Sequence, residues 1–105
     1  MAAVIDPIKE LDVGGYAEIS TRPNPQHLTI EFIPSLAATL LSVETRYGQP
    51  LAEAQVNAIR DKATVMVSSE QAAKIAEDRR GYKDINPKHC WQEWQLLRVQ
   101  LTPRA

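Results

Sequence analysis

Cysteine is nearly absent. Cys90 stands alone, so no intramolecular disulfide can staple the fold, and nothing marks an oxidising compartment. Long apolar runs are missing too: none approaches the roughly 20 residues that a membrane helix needs. The N-terminus, Met1-Ala2-Ala3-Val4-Ile5-Asp6, lacks the basic region that opens a secretory signal. These absences set the cytoplasm as the expected address and argue against a membrane partner. Charge of one sign is also lacking, with 12 Lys and Arg against 13 Asp and Glu. A dedicated nucleic-acid binder usually carries a basic excess, so the balance argues against nucleic acid as the partner.

Catalytic motifs are missing as well. There is no phosphate-binding loop, dinucleotide glycine pattern, nucleophile elbow or His-Glu-x-x-His. Two histidines and one cysteine cannot assemble a four-ligand zinc site, and no carboxylates cluster to replace them. No cofactor and no metal is expected.

What is present fits one globular domain over 1–105, with 44% hydrophobic and 24% charged residues, ordinary values for a chain with a core. Charge is uneven along it. Residues 1–33 carry two basic and five acidic side chains, whereas residues 82–105 carry four basic and two acidic ones. The two ends therefore differ in sign.

Pro and Gly divide the chain. Asp6-Pro7 reads as an N-cap with Pro at the first helical position, and Ile5, Ile8 and Leu11 follow at a spacing of three; Gly14-Gly15 reads as a turn. Tyr16–Ser20 reads as a weak strand. Leu28–Phe32 alternates apolar and polar residues, the period of a half-buried strand. A hairpin joining these two through the Arg22-Pro23-Asn24-Pro25 loop is expected. A helix over 35–47 carries Leu36, Leu40, Val43 and Tyr47 on one face and stops at Gly48. A second over 53–62 has a poor cap in Ala52, with Leu51 and Val56 placed as a hydrophobic staple. Thr64–Val67 reads as a short strand or an extended linker. Ser68 and Gln71 fit a capping box for a helix over 69–80, closed by Gly81. Ile85-Asn86-Pro87 opens the last helix, over 87–101, which ends before Pro103. The fold class is α+β and helix-dominated, with three to four amphipathic helices and a small N-terminal β element.

The last helix is the most informative element. With Cys90 at 0° and about 100° per residue, Trp94, Leu97 and Leu101 fall within about 40° of it. Trp91 lies near 100° and Leu96 near −120°, on the same ~100° step. The apolar arc exceeds the stripe that an ordinary surface helix needs. Either this helix is central and packed on both sides, or Trp91 is left as an anchor for a partner with Arg98 beside it, the residue types most enriched at binding hot spots. Arg79, Arg80 and Tyr82 form a second, basic and aromatic cluster. It suits an acidic partner, or else it is a helix end whose cations oppose the macrodipole.

Three functions follow. The leading expectation is a small non-catalytic protein-binding module of antitoxin, immunity or adaptor type, binding through the C-terminal helix by Trp91, Arg98, Tyr82, Arg79 and Arg80. A homo-oligomer is compatible with it. The second is a small enzyme or redox-sensitive protein using Cys90, which lies near a helix N-terminus where thiol pKa values fall, with His27 or His89 as base. The third is a helix-turn-helix regulator that reads DNA through Gln55, Asn57, Arg60 and Lys62.

Overall fold

The computed structural model describes residues 6–101, the last by its backbone alone. The contributions expected of Ile5, Pro103 and the Leu101 side chain lie outside the described residues. The chain forms β1 (Val13–Gly15), α1 (Tyr16–Ser20), β2 (Thr29–Phe32), α2 (Leu36–Tyr47), α3 (Glu53–Lys62), β3 (Thr64–Ser68), α4 (Glu70–Arg80), a 3₁₀ turn (Pro87–His89) and α5 (Cys90–Leu101). It is an α+β fold dominated by helix.

The sheet is antiparallel, in the order β1-β3-β2. The segment 64–67, read as strand or linker, is therefore its central strand. Val65 and Val67 are fully buried on the core face, opposite Phe32 and Ile30. The other face carries the row Val13–Met66–Glu31. The expected hairpin is corrected. Tyr16–Ser20 is a short helix, and β2 pairs with a strand more than thirty residues later. Ile19 explains the change: as a helical residue it reaches the core, while Tyr16 stacks on Phe32 with ring centres 5.1 Å apart.

The N-terminal reading is corrected too. Residues 6–9 form no helix; Ile8 is buried, and its amide donates to Pro23 O at 2.9 Å. Gly14-Gly15 is strand rather than turn. Arg22 organises this region. Its Nε donates to Asp6 O at 2.9 Å, and its Nη2 reaches Pro7 O and Asp12 Oδ2, each at 3.2 Å. At the start of β1, Leu11 N donates to Val67 O and Val67 N donates to Asp12 O. Two residues thus oppose one, a β-bulge whose first residue sits at φ 74°, a position that favours glycine.

The helices end as their sequences require. Gly48 (φ 81°) and Gly81 (φ 86°) are left-handed caps. Gln55 Oε1 accepts from Ala52 N at 2.8 Å, half of a capping box that partly offsets the poor cap. The cap of α4 shifts by one residue: Ser69 Oγ accepts from Ala72 N, while Ser68 is buried and its hydroxyl donates to Glu31 Oε2 at 2.9 Å.

One hydrophobic cluster runs through Ile19, Phe32, Leu36, Leu40, Val56, Val65, Ile85 and Trp94. α3 packs against both α1 and α5, and α2 packs against α5. α4 packs against β2 and β3 and buries no side chain fully. Among the described residues no helix is long and apolar enough to cross a membrane.

Candidate functional site

α5 is anchored by its inner face. Cys90 and Trp94 are buried, and Leu97 and Trp91 pack partly against the core. Trp94 has no exposed surface at all, so its indole N–H must find a partner inside. That partner is Glu44 of α2, whose Oε2 accepts from Trp94 Nε1 at 3.0 Å. Arg98 completes the knot. Its Nε lies 3.0 Å from Glu44 Oε1, and its Nη2 donates to Leu51 O at 3.0 Å. The guanidinium also sits over both indoles, 5.8 Å from the Trp91 ring centre and 5.7 Å from that of Trp94. Arg98 and Trp91 are thus together, as their spacing implied, but Arg98 spends its donors on joining α5 to α2 and to the 48–51 turn.

The outer face of α5 differs. Leu96 is 72% exposed and Val99 is 76% exposed. Gln92 and Gln95 lie on the same side and are exposed. The half-buried Trp91 borders this face, which carries no charge. Sequence reasoning placed Leu96 outside the core stripe but did not single out Val99. The signal was available, because Val99 lies near 180° from Cys90 on a step of ~100° per residue.

The second cluster is built around a helix end. Gly81 N donates to Glu77 O, closing α4. Arg80 Nε donates to Tyr82 O at 3.0 Å, and its guanidinium lies 5.1 Å from the Tyr82 ring centre. Tyr82 Oη is 2.7 Å from Ser35 Oγ. Arg79 is exposed on the outside. Beside them Asp84 does work that the sequence did not reveal. Its carboxylate accepts from Leu36 N at 2.7 Å, from Ala37 N at 2.9 Å and from its own neighbour Ile85 N at 2.8 Å. With Ser35 Oγ accepting from Ala38 N, the free amides at the start of α2 are satisfied from 47 and 48 residues away in sequence.

Cys90 is buried, with 2% of its surface exposed. Burial pushes its pKa up to about 11, and Arg60 only partly opposes this. An activated thiol needs the opposite shift. Of the residues considered for DNA reading, Gln55 and Arg60 are engaged within the fold. Gln55 caps its own helix, and Arg60 donates to Asp61 Oδ1 at 2.9 Å and to Pro87 O at 3.1 Å. α3 packs against both α1 and α5.

Comparison with protein families, with characterised proteins and with solved structures finds no match.

Proposed function

We propose that this chain is a small non-catalytic protein-binding module, of antitoxin, immunity or adaptor type, that meets its partner through the outer face of α5. The observation that carries this reading is the uncharged exposed face of Leu96, Val99, Gln92 and Gln95, bordered by Trp91. Exposed apolar side chains without neighbouring charge suit the centre of an interface, from which charged residues are depleted. Trp91, braced by the core behind it and by Arg98 above it, supplies a rigid aromatic edge. Arg98 contributes by holding that edge rather than by reaching outward. Arg79, Arg80 and Tyr82, at and just after the end of α4, form a second candidate contact surface.

The test is the double variant Leu96→Glu, Val99→Glu, compared with wild type in affinity capture and then in direct titration with the purified partner. Both sites are exposed, so the variant keeps the fold and its circular dichroism while losing the captured protein. A partner bound equally well by both proteins would overturn the assignment of α5.

A further inference from the structure

β2 has an open edge, and the hydrogen-bond parity shows which groups it presents. Ile33 N donates to Thr64 O at 3.0 Å. With the register Glu31↔Met66 and Thr29↔Ser68, the backbone groups of 29, 31 and 33 face β3. Those of Ile30 and Phe32 therefore face away from it. Among the described residues, neither has a partner for its outward N–H or C=O. The two positions are about 7 Å apart along the strand.

The edge lies in a cleft of about 260 Å³. Ala73, Glu77 and Arg80 of α4 line it together with the 83–87 segment. Two residues before Ile30, the Asn24 side chain already shows the kind of pairing this edge takes. Its Nδ2 donates to Leu28 O, and its Oδ1 accepts from Leu28 N, both at 2.8 Å. These are the two bonds that a neighbouring strand residue would make.

We propose that the β2 edge binds a short extended peptide segment as an added strand, with a basic residue opposite Glu31 flanked by apolar residues opposite Ile30 and Phe32. The charge preference follows from the register. When Ile30 and Phe32 make the outward bonds, Glu31 occupies the intervening non-bonded position, where side chains across strands approach most closely. Glu77 lines the same cleft, partly neutralised by Lys74 at 3.2 Å. Two cations also line the cleft: Arg80 is folded over Tyr82, and Lys83 is exposed beside Asp84 in sequence. A second copy of this chain fits poorly. Pairing β2 with itself through Ile30 and Phe32 sets Glu31 against its own equivalent, a like-charge pair that disfavours the contact.

The test is a nitrogen-15 amide titration of the whole chain with a blocked pentapeptide, valine–lysine–valine flanked by serines. Amide shifts centred on Ile30 and Phe32 are expected at millimolar peptide. Methylating one valine nitrogen of the peptide should abolish them. Replacing its lysine with glutamate should weaken binding about fivefold or more. Glu31→Gln keeps an acceptor for Ser68 and should erase that preference while leaving the fold intact. Absence of shifts at Ile30 and Phe32, equal binding of the methylated peptide, or an unaltered lysine preference in Glu31→Gln would each overturn the proposal. Shifts at these amides that grow with protein concentration alone would assign the edge to self-pairing and overturn it as well. The α5 variant Leu96→Glu, Val99→Glu should still bind the peptide, so the two surfaces succeed or fail separately.

Discussion

α4 and α5 are adjacent in the chain and similar in length, yet they are held in opposite ways. α5 buries Cys90 and Trp94 and is tied to α2 through Glu44 and Arg98. Its exposed side is uncharged and partly apolar. α4 buries nothing fully, and Ile75, its largest apolar residue, is 54% exposed. Its outside carries charges, with Lys74 bridging Glu77 and Asp78. α4 is helical chiefly through local effects: alanine-rich sequence, the Ser69 cap, the Gly81 stop and short-range ion pairs. α5 is helical because tertiary packing holds it. The helix that stabilises the fold is thus also the one with an adhesive outside.

The largest effect should come from breaking the inner face of α5. Trp94→Ala removes a fully buried indole and leaves Glu44 and Arg98 short of a partner. A loss of about 3–5 kcal/mol is expected, measured by urea unfolding, and it threatens the whole domain. Asp84→Ala should come next. It uncovers two amides at the start of α2 that now bond to a charged acceptor, at about 2–3 kcal/mol in total; Asp84→Asn should recover part of the loss. The contrast predicts a smaller, local effect in α4. Ala72→Gly should cost about 1 kcal/mol and should speed hydrogen exchange of α4 amides while leaving those of α5 unchanged. Equal acceleration in both helices would erase the distinction. The smallest effect belongs to the α5 exterior, where Leu96→Gln should change stability by no more than about 0.5 kcal/mol.

The Cys90 thiol supplies a pH test of the same packing. Burial raises its pKa from 9.0 to about 11, so the folded state holds the proton more tightly than the unfolded state does. This contribution is complete below pH 9 and is lost as pH rises through about 11. Stability should therefore fall across that window, and Cys90→Ala should flatten the fall. A thiol reagent at pH 8 should label Cys90 only on unfolding.

The contrast also marks what was legible in the sequence. The four longer helices were readable because each carries local punctuation: Gly48, Gly81, Pro50 and Asn86-Pro87 act within a turn of where they stand. The wide apolar arc of α5 was readable as periodicity. Tyr16–Ser20 was misread because five residues containing Tyr and Ile carry strand propensity, while the burial of Ile19 that makes them a helix is decided by distant partners. β3 was ambiguous for the same reason, since only its pairing with both β1 and β2 distinguishes a central strand from a linker. The roles of Arg98 and Asp84 were hidden by distance. Arg98 meets Glu44 54 residues away, and no local pattern connects them. Arg98 therefore read as an outward-reaching cation when its geometry is that of a brace.

The position of β3 has a consequence for the growing chain. β1 and β2 are made first, yet neither pairs with the other; both wait for residues 64–68 to arrive between them. The start of α2 likewise waits for Asp84, and Glu44 waits for Trp94 and Arg98. A nascent chain that stops short of residue 64 holds two strands with both edges open and a helix whose first two amides lack their Asp84 acceptor, so it has no stable native-like stopping point on the way. Residues 64–101 must be made before the first half of this domain can take its shape.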